Sequence, residues 1–376
     1  MKHTDEPNAA QNLLPAFKKN WEEQSCWKKG DKFFLACSGG IDSVVLAHLL
    51  SLSSIEITIL HCNFHLRGAE SDRDESFVKE LAVSLKWPVM VRHFDTREEM
   101  KRLKMGLQET ARHLRYNWFE EILKETKPLS GNSWLITAHH ADDQVETIIM
   151  NFFRGTGVSG LLGMPFRRGN IIRPLLFADR KSIHDFAVSS GINWVDDSSN
   201  SDIHYTRNLI RNVILPEIEK VFPNAAQNVI TTSKHLRDVQ QVYSMEISKM
   251  INEILIDKGD HWGIPVNKMK LVKTLNALVY EVFKKFGFNS TQVEGLISLL
   301  SASTGKFICS DSHRVLKNRD WLLIHPIKSE SQQILVIDSP DSRFDFKGGK
   351  LSVHLTGQFE NPDTAANQAW LDADTI

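Results

Sequence analysis

Cysteine and long apolar runs are both scarce in this chain of 376 residues. The four cysteines (Cys26, Cys37, Cys62 and Cys309) are widely scattered, and no two of them form a CxxC pair. This spacing argues against a disulfide framework or a zinc ribbon and is typical of a reducing compartment. No stretch approaches the roughly 20 apolar residues that span a bilayer, and the first residues contain no apolar signal segment. We therefore expect a cytoplasmic protein that does not contact a membrane.

An excess of positive charge is also missing. The formal net charge is −1, so the chain as a whole does not create the basic field that attracts nucleic acid. Local basic patches would have to bind any nucleic acid partner. The length is too great for one typical domain, and two or three domains are expected.

Apolar, strand-like runs alternate with helical patterns over the first half of the chain. This alternation predicts an α/β fold with a doubly wound, mostly parallel sheet of the Rossmann-like kind. Ligands of such sheets bind at the carboxyl ends of the strands, where Ser38–Ser43, His61–Arg67 and His139–Asp143 fall. The predicted strands are Phe33–Cys37, Ile55–Cys62, Val89–Phe94, Trp134–Ala138 and Ile171–Leu176, and the predicted helices cover residues 42–53, 71–86, 107–126 and 142–153.

The pattern changes to helical periodicity at about residue 205, with further helical stretches near 268–286 and 291–302. A hairpin is expected around Asn318, because two apolar runs flank a polar turn there. We predict an α/β domain over residues 1–216 and a mainly helical domain over 217–327. Residues 328–376 would form the short, β-rich start of a C-terminal domain.

The segment Ser38-Gly39-Gly40-Ile41-Asp42-Ser43 follows the first predicted strand and opens a helix. Its glycines let the backbone approach a phosphate, and its serines and the helix N-terminus add donors and partial positive charge. The lysine of a Walker loop is absent. A carboxylate beside phosphates is repulsive unless a cation lies between them, so Asp42 indicates a Mg²⁺ ligand. The alternative is a plain turn in which Asp42 only stabilises the helix start.

A second cluster, TAHHADDQVET at residues 137–147, also lies at a strand end. Asp142, Asp143 and Glu146 would converge within one helical turn as a hard-oxygen site suited to Mg²⁺. His139 and His140 suggest zinc, but the spacing matches no zinc pattern. The alternative is a solvated helix N-terminus.

Arginines recur in three further segments. Arg112 and Arg115 share a helical face and could clamp phosphates bidentately, or could belong to an ion-paired surface. Arg207 and Arg211 stand one helical turn apart and could contact substrate phosphate or fix a domain junction. The glycine-rich segment 151–176 could close over a polyanion as a mobile basic loop, or be a surface connection; its arginines are Arg154, Arg167, Arg168 and Arg173.

Taken together, these segments resemble the tRNA(Ile)-lysidine synthetases, a branch of the N-type ATP pyrophosphatases. The loop at residues 38–43 matches the pyrophosphate loop of that superfamily. The resemblance covers residues 30–216, is weaker over 217–325, and is thin beyond. The family-level segments are HCNFHLRGAESDRD (61–74), QETARHLRY (108–116), TAHHADDQVETIIMNFFRGTGVSGLLGM (137–164), RPLL (173–176) and WVDDSSNSDIHYTRNLIRNVILP (194–216).

The resemblance implies a specific reaction on the CAU anticodon of tRNA(Ile). ATP and Mg²⁺ would be used to adenylate cytidine 34 at O2, with loss of pyrophosphate. Free L-lysine would then replace AMP through its ε-amine, giving lysidine. Whether the enzyme is a homodimer is left open.

The resemblance also assigns roles, with catalysis in the PP-loop ATP pyrophosphatase domain at residues 1–216 and tRNA binding at residues 217–327. We expect catalytic roles for Asp42, Asp143, Glu146 and Arg112, with the pair Asp143 and Glu146 serving the lysine nucleophile. Expected metal ligands are Asp42, Asp142 and Asp143. Expected nucleotide-binding residues are Ser38, Gly39, Gly40, Ile41, Asp42, Ser43, His61, Arg115 and His139, and expected tRNA contacts are Arg154, Arg167, Arg168, Arg207 and Arg211.

Other functions are weighed against this one. A tRNA thiolation enzyme of the same superfamily usually needs clustered cysteines, although Cys37 and Cys62 could meet at adjacent strand ends. A non-catalytic tRNA-binding protein would have other residues in place of the loop residues or the carboxylates, and here both are present. An amidotransferase would need a glutaminase domain. Members of the family commonly continue into a further small domain after a segment resembling AWLDADTI, where this sequence stops; we expect a truncated chain or a shortened member.

Overall fold

The computed structural model describes residues 9–25, 27–196, 206–272, 274–327, 343–346 and 349–354. Its contacts divide the chain into two units, Met1–Met245 and Glu246–Ile376. The division falls inside one long helix, Ala225–Ile254, whereas the sequence placed a boundary after residue 216. Among the described residues, no helix has the length and apolar character needed to cross a membrane.

The first unit alternates strands and helices as its hydrophobic pattern predicts. Its strands are β1 (Lys32–Ala36), β2 (Thr58–Asn63), β3 (Val89–His93), β4 (Ser133–Ile136), β5 (Arg167–Arg168) and β6 (Ile171–Ile172). Its helices are α1 (Ala9–Glu23), α2 (Ile41–Leu52), α3 (Ala69–Leu85), α4 (Thr96–Leu103), α5 (Leu107–Glu125), α6 (Ala141–Phe153), α7 (Val158–Leu161), α8 (Arg180–Ser189), α9 (Thr206–Leu209) and α10 (Leu215–Val221), followed by α11 (Ala225–Ile254).

The six strands form one sheet in the order β3-β2-β1-β4-β6-β5. Pairs β1–β2, β2–β3, β1–β4 and β4–β6 are parallel, and only the edge pair β5–β6 is antiparallel. The prediction of a doubly wound, mostly parallel sheet is therefore confirmed. The strand order reverses at β1, which places the ends of β1 and β4 side by side at the switch point where such folds bind ligands.

Helices cover both faces of this sheet because successive strand residues point to opposite sides. Leu35, Ile59 and Ile136 are buried with apolar residues of α1, α2, α3 and α8. Their chain neighbours Phe34, Leu60 and Leu135 are buried with Trp118, Phe119 and Ile122 of α5. Burial on both faces explains why the strands read as continuous apolar runs instead of alternating ones.

A smaller core joins α6 to the segment after the sheet. Val145 and Ile149 of α6 pack against Ile210, with Ile214, Val229 and Ile230 beside them. Ile210–Ile214 forms a π-helical turn between α9 and α10. This packing holds one face of residues 206–214 against α6.

The second unit contains an antiparallel sheet in the order β7-β8-β11-β10-β9. The predicted hairpin is present as β10 and β11, which pair through Asn318↔Trp321. The description of residues 217–327 as mainly helical omitted this sheet, because its other strands are too short to give a clear period. The elements are β7 (Ile256–Asp257), β8 (Trp262–Pro265), α12 (Val266–Lys270), α13 (Leu275–Lys284), a 3-10 turn (Ser290–Gln292), α14 (Val293–Leu299), β9 (Phe307–Cys309), β10 (His313–Asn318) and β11 (Trp321–Pro326).

A two-stranded sheet, β12 (Arg343–Phe346) with β13 (Gly349–Ser352), lies in the segment predicted to be β-rich. The other residues of the predicted segment 328–376, apart from 353 and 354, lie outside the described residues.

Candidate active site at the strand ends

The glycine loop after β1 is held in one shape by its own hydrogen bonds. Gly39 has φ +92°, a conformation that L-side chains rarely adopt, and its carbonyl accepts from the Val195 N–H at 3.0 Å. Ser43 Oγ donates to the Gly40 carbonyl at 2.9 Å, and Ser38 Oγ accepts from the Gly40 N–H at 3.3 Å. Because α2 begins immediately after Gly40, the loop presents a helix N-terminus at the switch point of the sheet.

His140 lies at the centre of the acidic cluster. Its ring nitrogens are 3.6 Å from Asp42 Oδ2, 3.4 Å from Asp142 Oδ2 and 3.5 Å from Asp143 Oδ2. Burial by itself would lower the pKa of His140, but the carboxylates of Asp142, Asp42 and Asp143 outweigh it and raise the pKa to about 10. A positive imidazolium therefore holds together three carboxylates that would otherwise repel one another.

The predicted metal ligands Asp142 and Asp143 have partners within the protein. Among the described residues, no group of three or more His, Cys, Asp or Glu side chains is placed to hold a metal ion. Asp143 has no free oxygen, since Oδ2 accepts the His140 N–H at 2.9 Å and Oδ1 accepts from Arg207 at 2.8 Å. Asp142 Oδ2 accepts the Arg180 N–H at 2.8 Å. Metal binding by Asp142 and Asp143 stays a prediction, and their oxygens are already hydrogen-bonded within the protein.

Asp42 keeps an oxygen that suits a cation. Its Oδ1 is buried and has no hydrogen-bond partner in the described structure, at the first turn of α2 beside the glycine loop. Mg²⁺ is commonly bound by one or two carboxylates together with substrate phosphates and water, and needs no complete protein cage. The residues present thus fit Mg²⁺ with Asp42 as the main protein ligand.

Glu146 is buried and fully engaged. Its side chain is 1% exposed, and its two oxygens accept from Arg207 Nε and Arg211 Nε, each at 2.5 Å. Both carboxylate oxygens are bonded to guanidinium groups, which stabilises the charged form of Glu146. The predicted service of Glu146 and Asp143 to the lysine nucleophile stays a prediction, and the contacts show that both carboxylates are bonded to guanidinium groups.

The same contacts bear on Arg207 and Arg211, the predicted tRNA contacts. Arg207 also reaches Asp143 Oδ1 at 2.8 Å, and Arg211 reaches it at 3.2 Å. Both guanidinium groups are thus paired with Asp143 and Glu146, and they join residues 206–211 to α6. Contact of Arg207 and Arg211 with tRNA stays a prediction. The alternative considered for these two arginines was that they fix a domain junction, and the packing of Ile210 against α6 favours that alternative.

Arg112 and Arg115 lie exposed on α5, as predicted, with no ion pair among the described residues. The Arg112 guanidinium lies 4.6 Å from the Tyr116 ring centroid, and that of Arg115 lies 5.3 Å from the Phe64 ring centroid.

His139 lies at the start of the acidic segment. Burial, together with the positive charges of Arg173, Arg207 and Arg112, lowers the pKa of His139 to about 4, although the negative charge of Asp143 acts to raise it. His139 is therefore a neutral imidazole at neutral pH.

His61 lies behind the glycine loop. Its Nδ1 is 2.9 Å from the Cys37 carbonyl oxygen, and burial lowers its pKa. The ring therefore braces the end of β1, and a nucleotide would meet at most its other nitrogen. Sequence reasoning selected His61 by family pattern alone, and nothing in its spacing indicated this bracing role.

The glycine-rich segment is anchored at several points instead of forming a free loop. Asn151 Nδ2 donates to the Gly160 carbonyl at 2.8 Å, and Gln144 Oε1 accepts the Met164 N–H at 2.7 Å. Arg237 of α11 donates to the Leu162 carbonyl at 2.8 Å. These anchors were missed, because amide and arginine side chains far apart in sequence carry no signal of their contact.

The arginines of this segment divide into two groups. Arg154 at the end of α6 and Arg168 on β5 are exposed, and Arg167, also exposed, lies 4.5 Å from the Trp134 ring centroid. Arg173 is 7% exposed and donates to the Pro165 carbonyl at 3.0 Å. Arg154, Arg167 and Arg168 therefore stay candidates for RNA contact, whereas Arg173 acts inside the fold.

Cys37 and Cys62, which both lie in the described part of the chain, do not form a thiol pair. Cys37 is buried on the α2 face of the sheet and Cys62 packs on the α5 face. Burial raises the pKa of Cys62 to about 12. The two thiols thus lie on opposite faces of the sheet. A meeting of Cys37 and Cys62 was the main support for a thiolation enzyme, and the structure does not show it.

A phosphate-cradling loop at the switch point of a mostly parallel sheet, with a carboxylate in the first helical turn, defines a PP-loop enzyme. The sequence profile of the PP-loop domain matches residues 6–218, and that of the TilS substrate binding domain matches residues 257–327. The chain belongs to the tRNA(Ile)-lysidine synthase family.

The similarity to curated members is extensive. The chain is 36% identical to the tRNA(Ile)-lysidine synthase of Bacteroides thetaiotaomicron over 84% of this chain and 72% of that one. It is 35% identical to that of Porphyromonas gingivalis over 87% of this chain and 71% of that one. The solved structure of the U34-tRNA thiolase NcsA from Methanococcus maripaludis covers 59% of this chain and 78% of its own at 19% identity and a TM-score of 0.48, a likeness too low to bear on function.

Proposed function

We propose that this enzyme joins free L-lysine to C2 of cytidine 34 in the CAU anticodon of tRNA(Ile), with conversion of ATP to AMP and pyrophosphate. It is a ligase with a PP-loop domain, and it uses ATP. The main support for placing ATP and Mg²⁺ at the glycine loop is Asp42 Oδ1, which is buried beside the loop and has no hydrogen-bond partner in the described structure. The reaction would take place in the cytoplasm, where the predicted substrates occur.

The glycine loop and α2 would hold the departing pyrophosphate. Ser38 is exposed beside Gly40, and the N-terminus of α2 supplies partial positive charge toward the same space. Asp42 would hold Mg²⁺, which stabilises the charge on the phosphates when bound. Arg112 and Arg115, which have no carboxylate partners among the described residues, would contact the α-phosphate or the adenylated base.

The carboxylates of α6 would act through the cations that they hold. Asp143 and Glu146 fix Arg207 and Arg211, and His140 fixes Asp42, Asp142 and Asp143. His139 is a neutral imidazole whose Nδ1 lies 2.9 Å from Thr137 Oγ1, and it would contact the nucleotide. Arg154, Arg167 and Arg168 would contact the anticodon arm.

The experiment gives the full chain ATP, Mg²⁺, labelled L-lysine and a CAU-anticodon tRNA(Ile) transcript. Label should enter the RNA at one position, with one AMP formed per lysine. A transcript carrying uridine at position 34 is the matched control and should stay unlabelled. Incorporation of sulfur or ammonia instead of lysine would refute the proposal. Sedimentation of the same preparation distinguishes a monomer from a homodimer.

A further inference from the structure

Arg173 is a buried arginine at the ligand-binding edge of the first sheet. It directly follows β6, and the Thr137 N–H at the end of β4 donates to the carbonyl of the preceding Ile172 at 3.0 Å. The Arg173 N–H donates to the Phe166 carbonyl at 2.9 Å, which continues the hairpin of β5 and β6 by one residue. Because strand residues alternate between faces, Arg173 lies on the same face as Ile171, which packs with the core under α5.

The Arg173 guanidinium has more donors than partners. Arg173 is 7% exposed, and its Nη1 donates to the Pro165 carbonyl at 3.0 Å. Its Nε is buried and has no hydrogen-bond partner in the part of the chain that the structure describes. A buried N–H without an acceptor costs free energy, and a bound anion would supply the acceptor.

The charges around Arg173 have the same sign as its own. Burial and the positive charges of Arg168 and Arg112 lower the pKa of Arg173, against the effect of the Tyr116 phenol. Among the described residues, no aspartate or glutamate forms an ion pair with Arg173. A buried cation without a counter-charge is costly, and perturbed, buried charges of this kind cluster at functional sites.

Helix α5 brings a second guanidinium to the same edge of the sheet. The Arg112 guanidinium lies 4.6 Å from the Tyr116 ring centroid, and its charge acts on both Arg173 and His139. Arg112 is exposed, and a ring contact of this kind is weak, so its guanidinium can turn to an anion at little cost. Arg168 is exposed on β5, beside β6. Arg173 therefore lies within electrostatic reach of two further guanidinium groups.

We propose that Arg173 and Arg112 form a phosphate site at the ends of β4 and β6, separate from the glycine loop after β1. A phosphate suits these residues because its oxygens can meet several donors and guanidinium groups bind it bidentately. The favoured source is the α-phosphate of ATP, since the glycine loop next to β4 would hold the departing pyrophosphate. A phosphodiester of the RNA has the same chemistry. This inference rests on the proposed function, since it takes the nucleotide and the RNA of that reaction as ligands.

The test measures equilibrium binding of three ligands, each alone, to the full chain of wild type and of Arg173→Met. The ligands are ATP with Mg²⁺, pyrophosphate with Mg²⁺, and the CAU-anticodon transcript. ATP affinity should fall roughly tenfold to a hundredfold, the range for loss of a charged hydrogen bond, while pyrophosphate binds as in wild type. If the site holds an RNA phosphate, the transcript loses this factor and ATP does not.

Melting curves without ligand separate binding from a purely structural role. Arg173→Met removes a buried charge among like charges together with one bond to a carbonyl, so its melting temperature should not fall below that of wild type. Arg237→Met is the matched control, because Arg237 also donates to backbone carbonyls, those of Leu162 and Met164, while burial alone lowers its pKa. This control should melt earlier than wild type and keep the wild-type ATP affinity.

Arg173→Lys is the second variant, which keeps the charge but loses the planar fork, and it should weaken binding of the same ligand. Wild-type affinity for both ATP and the transcript in the folded Arg173 variants would overturn the inference. Equal losses of ATP and pyrophosphate affinity would also overturn it, because the site would then be part of the glycine loop. If wild type binds ATP and the transcript but incorporates no lysine, the proposed function fails while the phosphate site is still tested.

Discussion

Arg211 Nε lies 2.5 Å from Glu146 Oε1, across 65 positions of sequence, and Glu146 is 1% exposed. With Arg207 on the second carboxylate oxygen, Glu146 joins α6 to the segment that follows the sheet. Glu146 is therefore a structural anchor of the helix that begins at the active site.

Glu146→Gln should destabilise the fold, because two guanidinium groups lose a buried counter-charge. The expected loss of unfolding free energy is about 3 kcal/mol, since removing one partner of a buried ion pair leaves uncompensated charge. Urea denaturation measures it. Arg102→Gln, which breaks an exposed pair with Glu99, is the control and should cost less than about 1 kcal/mol. An equal, small effect of both changes would argue against the anchor.

Asp42→Asn should remove ATP–pyrophosphate exchange without unfolding the protein. The substitution keeps the shape of the side chain but takes away the charge that would hold Mg²⁺, so we expect a loss of at least about a hundredfold in kcat. Asp95→Asn is the control, because Asp95 caps α4 through the Glu98 N–H and asparagine caps equally well. Exchange at the wild-type rate would exclude Asp42 from the metal site.

Arg112→Gln should lower kcat/KM by about a hundredfold, if its guanidinium stabilises charge at the reacting phosphate. Stability should stay within about 0.5 kcal/mol of wild type, because the side chain is exposed and contacts only the Tyr116 ring. Arg211→Gln is the informative comparison, since it should lower the melting temperature. A stability loss in Arg112→Gln equal to that in Arg211→Gln would indicate a structural role.

Cys62 should resist alkylation by iodoacetamide at pH 8, because its pKa of about 12 leaves a thiolate fraction of roughly one in ten thousand. Cys309 is exposed and should react first. Peptide mapping by mass spectrometry separates the sites, and Cys309→Ser provides the control. Modification of Cys62 as fast as Cys309 would indicate a reactive thiol and would reopen the thiolation alternative.

Asp31 should stabilise the protein in a pH-dependent way. Burial raises its pKa, but hydrogen bonds from Trp134, Lys28 and Asn132 outweigh burial and hold the pKa below 3.8. A lowered folded-state pKa contributes stability that is present above 3.8 and is lost as the pH falls through the folded-state value. Asp31→Asn should cost about 1 kcal/mol at pH 7, and the difference should shrink below pH 4. A difference that stays constant with pH would contradict the assignment.

The sequence predicted the sheet of the first unit well, for a physical reason. Strands buried on both faces read as short apolar runs, and the helices between them are long enough to show their period. The glycine loop was also readable, because only glycine suits the φ of +92° at Gly39. The sheet of the second unit could not be predicted in the same way, because β7, β8 and β9 have only 2, 4 and 3 residues and show no clear period.

The sequence by itself determined the class of enzyme, the loop at the head of α2 and the helix that contains Asp142, Asp143 and Glu146, because these depend on neighbours within a few residues. Only the tertiary structure decided which charges are free. It paired Arg207 and Arg211 with Glu146, placed His140 among three aspartates, and left Asp42 Oδ1, Arg112 and Arg115 available. Residue type and spacing give the charge of a group, whereas its chemistry depends on the partners that folding brings to it from far along the chain.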